Sequence, residues 1–398
     1  MTPDLKPPRR LIDAFEDTFK TRPDFLVRVP GRVNLVGAHV DYNDGWVLPA
    51  AINRYVWAAA KALPTPLMSI RAVDLNEDTA FRLTELDTRR SLLGRPLPRW
   101  AEYAAGVAWS LQEAGMATPG VQLAISGEVP VGAGMSSSAA VEVAYALALK
   151  HITGWEIDRL GLARLCQRAE NEYVGVECGI MDQFSVLFGQ EDHALLLDCR
   201  TLEWEALPLP DHVSLVVADT GTRRELTDGS LNTRRAECRE AVQILKESIP
   251  GITALRDVTV DRLFAHDYLL PEKLRMRAEH VITEINRVLA AAEHLRKREV
   301  AALGAIMDES YISSRDLYES SSPELDVMWE AASNHPDRLG GRFLGAGGGG
   351  CLIFLVQSTG VENFITHTAR RYMEKNGRRA TFYTLQAAEG AQVLPFRE

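Results

Sequence analysis

Hydrophobic residues in the first half of the chain follow two kinds of pattern. Short runs rich in β-branched and aromatic residues indicate β-strands, and longer runs with a period near 3.6 residues indicate helices. The predicted strands are Phe25–Val29, Trp46–Ala51, Tyr55–Ala60 and Val121–Ile125. The predicted helices are Ser137–Lys150 and Ile157–Tyr173.

The second half repeats this mixture. Strands are predicted at Ala194–Asp198 and Val213–Ala218, and helices at Thr233–Lys246, Pro271–Arg296 and Val300–Leu317. Two further strands, Arg342–Leu344 and Cys351–Val356, flank the glycine run Gly345–Gly350. The strands come in clusters and do not alternate strictly with helices, so we predict an α+β fold. The proline-containing connector Leu207–Asp211 suggests two domains, residues 1–205 and 206–398.

Composition narrows the class of protein. The 398 residues are 46% hydrophobic and carry a net charge of −10, which disfavours binding to nucleic acid or to an anionic membrane. No apolar run reaches the roughly 18 residues of a membrane helix, and the start lacks the apolar core of a secretory signal. We therefore expect a soluble protein. Its five cysteines form no C-x-x-C pair, which favours the reducing cytoplasm and gives no support to zinc.

The segment Gly127–Ala140 is rich in small residues and leads directly into a predicted helix. Small residues let backbone N–H groups approach a phosphate, and the start of a helix adds unpaired donors. Three consecutive serines supply hydroxyls for phosphate or Mg²⁺. The alternative is a turn in which one serine caps the helix. A P-loop is excluded, because Gly132 is followed by Ala133 and Gly134 and not by Lys and Ser or Thr.

The run Gly345–Gly350 fits the pattern G-x-G-x-x-G, but it opens onto a predicted strand. A dinucleotide fingerprint must open a helix, so the match carries no dinucleotide site. We interpret it as a loop between two strands that presses against another backbone or a ligand. Cys351, which follows it, is expected to be a small buried residue.

Polar residues concentrate in Pro30–Gly45, which contains one Arg, one His, two Asp, two Asn and one Tyr. A solvated loop is the simpler interpretation. A second polar cluster favours a functional one, since Asp182 lies among the apolar residues Ile180, Met181 and Phe184. A carboxylate in apolar company needs a cationic partner or a chemical task, and Arg32 is the natural partner.

Together these segments resemble the galactokinases of the GHMP superfamily of small-molecule kinases. Three stretches carry the likeness in the family's order: Gly31–Gly45, Gly132–Ser138 and Gly345–Cys351. Further matches are Cys178–Phe184, His193–Cys199, Asn232–Arg235 and Ser321–Asp326. The resemblance implies a bilobal fold with a ribosomal-S5-like N-terminal domain, an α/β C-terminal domain and the active site between them. It also implies transfer of the γ-phosphoryl group of ATP to the anomeric hydroxyl of a hexose.

The family's functional residues carry over position by position. The resemblance implies that Asp182 accepts the proton of the sugar's O1, that Arg32 pairs with it, and that Ser138 and Glu170 hold Mg²⁺. Charge pattern alone would place Glu170 on a solvated helix face. The implied triphosphate loop is Gly132, Ala133, Gly134, Met135, Ser136, Ser137 and Ser138, with Trp100 near the adenine. The implied sugar contacts are Ala38, His39, Val40, Asp41, Gly179 and Leu231.

Two of the sugar positions depart from the family. Ala38 replaces a glutamate that reaches the sugar's C6 hydroxyl, and Leu231 replaces a tyrosine. The substrate is therefore expected to be galactose or a close relative, with galacturonate as the alternative and His39, Arg223 or Arg224 as candidate partners for its carboxylate. A non-catalytic sugar- and ATP-dependent sensor is the alternative of another class. The intact segment Ser136–Ala140 disfavours the sensor. The sequence does not fix the oligomeric state, and we expect a monomer.

Overall fold

The computed structural model describes residues 6–222 and 230–397. Its first sheet has six strands in the order β13-β1-β3-β6-β4-β5, and its second has four in the order β10-β11-β9-β12. A small third sheet joins β2, β7 and β8. The six-stranded sheet contains β1 (Phe25–Asn34), β3 (Pro49–Leu63), β4 (Leu67–Ala72), β5 (Glu77–Arg82), β6 (Gly120–Gly127) and β13 (Gln392–Pro395). The other strands are β2 (Trp46–Val47), β7 (His193–Asp198), β8 (Trp204–Pro208), β9 (Val213–Asp219), β10 (Arg338–Phe343), β11 (Cys351–Gln357) and β12 (Thr381–Leu385).

Eleven α-helices lie in the described residues, and their mixture with the sheets confirms the α+β class. In the first half they are α1 (Arg9–Phe19), α2 (Arg99–Glu113), α3 (Ser137–Thr153), α4 (Arg159–Arg168) and α5 (Met181–Phe188). In the second half they are α6 (Ser230–Lys246), α7 (Val260–His266), α8 (Glu272–Arg296), α9 (Val300–Asp316), α10 (Pro323–Ala332) and α11 (Val361–Asn376).

The predicted strands Trp46–Ala51 and Tyr55–Ala60 differ from the observed elements. After the short β2, the chain forms one continuous strand, β3. The polar residues Asn53 and Arg54 form a bulge within β3, opposite the register shift between Pro30 and Gly31 of β1. The predicted loop Pro30–Gly45 likewise starts too early, since β1 extends to Asn34. These errors arise because a bulge absorbs polar residues that look like a break in the sequence pattern.

The helix predicted at Ile157–Tyr173 is in fact α4 followed by a wider π-helical turn at Ala169–Val174. Such turns occur frequently at functional sites. Here the π-helical turn directs Glu170 inward, and only 3% of this residue is exposed. The interpretation of Glu170 as part of a solvated helix face is therefore wrong.

The two halves of the chain share their main hydrophobic core. It includes Leu35 and Val143 from the first half and Val288 from α8, while a second core lies around Phe354 and Phe364. The last strand, β13, returns to pair with β1. The division at residue 205 stays a prediction.

All five cysteines are free, as the absence of paired spacings suggested, and Cys351 is fully buried. Within residues 6–222 and 230–397, no helix has the length and apolar character needed to span a membrane.

Candidate active site

A cavity lies where the loops after β1 and β6 meet the glycine loop between β10 and β11. It brings together residues from Gly31–Gly45, Gly132–Ser138, Cys178–Phe184 and Gly345–Gly350. Of the predicted site residues, those that line it are Arg32, Ala38, His39, Asp41, Gly132, Gly134, Ser136, Ser137, Ser138, Glu170, Gly179, Asp182 and Leu231. The predicted phosphate and sugar loops therefore face one shared space.

Four predicted site residues do not line the cavity. The side chains of Val40, Ala133 and Met135 are buried in the core behind the loops. Trp100 lies at the start of α2, where its indole N–H donates to Glu77 Oε2 at 2.7 Å. Arg223 and Arg224, considered for an acidic sugar, lie outside the described residues.

Asp182 is held by two partners that lie far from it in sequence. Arg32, on the buried strand β1, donates from Nε to Oδ1 at 2.8 Å, and its Nη2 lies 2.7 Å from the same oxygen. The Ser136 hydroxyl donates to Oδ2 at 2.6 Å. The side chain of Arg32 is 4% exposed and that of Asp182 is 23% exposed, so one face of the carboxylate remains open. The predicted pairing of Arg32 with Asp182 is confirmed.

The loop Gly132–Ser138 approaches the second glycine loop closely. Gly134 has a φ of +77°, and a Cβ there would lie 2.7 Å from the carbonyl carbon of Leu344. The next loop residue to bend sharply is Ser136, with a φ of 57°. Its hydroxyl binds Asp182 and does not cap α3, which begins at Ser137. The serine-cap interpretation is therefore wrong for this residue.

The run Gly345–Gly350 joins β10 to β11, as predicted, and packs against the first loop. A Cβ on Gly345 would lie 2.9 Å from Gly134 Cα, and one on Gly350 would lie 3.2 Å from the Gly132 carbonyl oxygen. Both glycines have positive φ values. The small residues are needed because two backbones meet here with no room for side chains.

A pair of buried carboxylates lies behind the loop Gly132–Ser138, which we call the serine loop. Gln183 donates from Nε2 to Glu142 Oε2 at 3.0 Å and to Glu170 Oε2 at 2.8 Å. Burial, together with the charge of Asp182, raises the pKa of Glu170 to about 7, although hydrogen bonds from Cys178 and Gln183 oppose the shift. Glu142 Oε1 is buried and has no hydrogen-bond partner within the described part of the chain. Burial and the charge of Glu170 also raise the pKa of Glu142, so a bound cation would stabilise the ionised form of this pair.

Asp41 lies on the wall of the cavity that is predicted to contact the sugar, and Gly179 packs directly against it. Burial and the neighbouring charge of Asp182 raise the pKa of Asp41 to about 6. A side chain at Gly179 would collide with the Asp41 carboxylate, so glycine is required there. His39 has a φ of 60° and bonds through Nδ1 to the Tyr42 hydroxyl at 2.8 Å. The loop is therefore held in a strained conformation by its surroundings.

Three residues at or behind the cavity were not predicted from the sequence. Glu142 carried a usable signal, because it is a lone carboxylate on an otherwise apolar helix, like Asp182 among its neighbours. Gln183 carried none. Arg342, on β10, is 2% exposed and lines the cavity, and its Nε and Nη1 have no hydrogen-bond partner among the described residues. Burial lowers the pKa of Arg342 to about 10, although the charge of Glu284 opposes that shift.

Three family descriptions match the chain. Residues 13–62 match the galactokinase galactose-binding signature. The GHMP kinases N terminal domain covers residues 102–190, and the GHMP kinases C terminal domain covers residues 291–375.

Whole-chain relatives agree with these matches. The chain is 42% identical over 380 residues to a galactokinase of Roseiflexus sp. (strain RS-1), covering 96% of this chain and 95% of the relative. It is 39% identical over 368 residues to a galactokinase of Bacillus subtilis (strain 168), covering 92% and 93%. The similarity therefore spans nearly the full length of each protein.

Solved structures place the fold in the same group. The structure of Lactococcus lactis galactokinase complexed with galactose superposes with a TM-score of 0.90 at 32% identity, covering 96% of this chain and 98% of that one. A Methanococcus jannaschii mevalonate kinase shares the fold alone, with a TM-score of 0.60 at 15% identity, covering 92% and 98%. On the strength of the identity across the whole chain and of the motifs that meet in the cavity, the protein belongs to the galactokinase family of GHMP kinases.

Proposed function

We propose that the protein transfers the γ-phosphoryl group of ATP to the anomeric hydroxyl of galactose. The observation that carries this proposal is the placement of Asp182. Its carboxylate lies between the loop that contains Asp41 and the serine loop, held by Arg32 and Ser136 with one face open to the cavity. A base so placed meets a sugar on one side and a phosphate on the other.

In the proposed reaction, the galactose O1 attacks the γ-phosphorus and the bond to the β-phosphate oxygen breaks. The proton of O1 passes to Asp182, and ADP leaves with the bonding electrons. Phosphoryl transfer asks the protein mainly to position reactants and to neutralise charge. The guanidinium of Arg32 keeps Asp182 in one orientation and stabilises negative charge that develops beside it.

The loop Gly132–Ser138 supports ATP binding. Its glycines let backbone N–H groups approach a ligand. Helix α3 starts at Ser137, and the first N–H groups of a helix have no partner within that helix. Ser137 and Ser138 line the cavity. Ser138 and Glu170 would hold Mg²⁺, which when bound neutralises phosphate charge. The fit rests on two buried carboxyl groups. The pKa of Glu170 is raised, so a cation would stabilise its ionised form, and Glu142 Oε1 has no hydrogen-bond partner among the described residues. Among the described residues no three His, Cys, Asp or Glu side chains group as a metal site, so the nucleotide would supply the other ligands.

Galactose is the favoured acceptor. The whole-chain relatives are galactokinases, and the similar Lactococcus lactis structure contains galactose. These similarities do not favour the galacturonate alternative. The sensor alternative is disfavoured by the complete arrangement of base, arginine and serine loop. The five free cysteines support a place in the reducing cytoplasm.

A coupled ADP-release assay over galactose, galacturonate, glucose and galactosamine tests the proposal. We expect turnover with ATP, Mg²⁺ and galactose, and a single phosphorus NMR resonance that couples to the anomeric proton. Binding of galactose without turnover would identify a sensor. Phosphate at C6, or preference for galacturonate, would contradict the proposed acceptor.

A further inference from the structure

Helix α8 reaches the sugar-side loop from the second half of the chain. Glu284, in the middle of that helix, is fully buried and accepts the backbone N–H groups of Gly37 and Ala38 on Oε1, at 2.9 and 3.0 Å. Gly37 has a φ of +107°, and a Cβ there would lie 3.1 Å from Val288 of the same helix. The loop backbone therefore lies directly against α8.

His280, one helical turn before Glu284, contacts the carbonyl group of Ala38. Its Nε2 lies 3.1 Å from the Ala38 carbonyl oxygen, and its Nδ1 lies 2.9 Å from Ser313 Oγ. A carbonyl oxygen only accepts, so Nε2 carries the proton. Burial lowers the pKa of His280 to about 4, although Glu284 opposes the shift, so the ring is neutral near pH 7 and Ser313 donates to Nδ1.

The remaining bonds of Glu284 are satisfied by its own half of the chain. The Ser310 hydroxyl donates to Oε1 at 2.5 Å, and Arg287 donates from Nη1 to Oε2 at 2.6 Å. Burial opposes ionisation, but neighbouring cationic groups and the Ser310 bond lower the pKa of Glu284 to about 2. A buried, fully bonded ion of this kind is weak evidence for stability, because apolar residues often serve as well. Its directed bonds point to a positional role.

We propose that Glu284 and His280 are positioning residues for the sugar loop. They hold the backbone of Gly37 and Ala38 from both sides, and thereby set where His39 and Asp41 meet the acceptor sugar. This inference rests on the proposed function for its substrate. It makes sugar affinity depend on a helix that lies about 240 residues beyond the loop and outside the galactose-binding signature at residues 13–62.

The first experiment compares two substitutions of one residue. Glu284→Met keeps a similar length and removes every acceptor, while Glu284→Gln keeps the Oε1 acceptor for the loop and loses the charge. Calorimetry should give at least a tenfold weaker galactose Kd for Glu284→Met, an ATP Kd within twofold of the parent, and a galactose Kd within threefold for Glu284→Gln. Glu309→Gln is the matched control, because Glu309 also approaches Arg287, at 4.0 Å, but does not touch the loop. Equal weakening of both ligands, or unchanged galactose binding in Glu284→Met, would overturn the proposal.

A second experiment needs neither galactose nor turnover. Hydrogen exchange of a peptide that spans Gly37 and Ala38 should accelerate at least tenfold in Glu284→Met, while peptides from β1 keep their protection. Unchanged exchange would overturn the positioning role even if the enzyme used another sugar. If Glu284→Met does not fold, His280→Leu against His280→Gln provides the same comparison, since glutamine restores a donor to the Ala38 carbonyl.

Discussion

Asp182→Asn isolates the basicity of the proposed catalytic residue from its shape. In the parent, Oδ1 accepts from Arg32 and Oδ2 accepts from the Ser136 hydroxyl. The amide oxygen of asparagine can keep the Arg32 bond, and its NH₂ group can donate to Ser136, whose hydroxyl rotates to accept. The substitution therefore preserves both contacts while it removes the charge and the proton acceptor.

The magnitudes follow from this geometry. Loss of a general base typically lowers a rate ~10² to 10⁴-fold, which corresponds to ~3–5 kcal/mol of transition-state stabilisation. Arg32 keeps a hydrogen bond but loses a charged one in a buried position, so we expect the free energy of unfolding to fall by about 1–3 kcal/mol. Nucleotide affinity should change less than threefold, because asparagine keeps the shape of Asp182 and its contact with Ser136 of the Gly132–Ser138 loop.

The assay is steady-state ADP release with saturating galactose and ATP, beside calorimetry with a nucleotide analogue and urea unfolding. Ser136→Ala is the matched control, since it removes one hydrogen bond to Asp182 and leaves the base, and it should lower kcat less than about tenfold. A kcat for Asp182→Asn within tenfold of the parent would refute its role as base. A loss of nucleotide affinity as large as the loss of turnover would show a structural role.

Three further substitutions or conditions test the rest of the site. Gly179→Ala should raise the galactose KM at least tenfold and leave the ATP KM within twofold, because the added methyl displaces the Asp41 carboxylate; equal changes in both would contradict this. Ala38→Glu should lower the galactose KM about two- to twelvefold, since one added hydrogen bond contributes about 0.5–1.5 kcal/mol, and should raise that of galacturonate by repulsion; an unchanged ratio would make Ala38 neutral. The Mg²⁺ concentration for half-maximal activity should rise about tenfold per pH unit below 7 and level off above it, because the raised pKa of Glu170 makes metal and proton compete; a flat profile between pH 5.5 and 7 would exclude Glu170 as a ligand.

The raised pKa of Glu170 also has a consequence for stability without metal. Between pH 4.5 and about 7 the folded protein holds a proton that the unfolded chain has released, so this residue makes the free energy of unfolding fall as pH rises through that window. Mg²⁺ with a nucleotide should oppose that fall. Urea unfolding at a series of pH values between 4.5 and about 7, with and without Mg²⁺ and nucleotide, measures this change in the free energy of unfolding.

Features that depend on local chemistry could be predicted from the amino-acid sequence. Gly345–Gly350 is a loop between strands because six residues dominated by glycine cannot continue a sheet, and the apolar runs on either side must. The pairing of Arg32 with Asp182 was also predictable, since a carboxylate among apolar residues requires a cation. Each of these predictions needed only residue types and their neighbours along the chain.

Features that depend on which distant segments meet arise only when the chain folds. Glu170 looks like part of a solvated helix face until the π-helical turn directs it inward beside Glu142. The peptide of Ala38 is held by Glu284, 246 residues away, and no pattern near either residue reports that contact. The raised pKa of Glu170 results from its burial. That burial is produced by packing between segments that are distant along the chain, which no local sequence pattern reports.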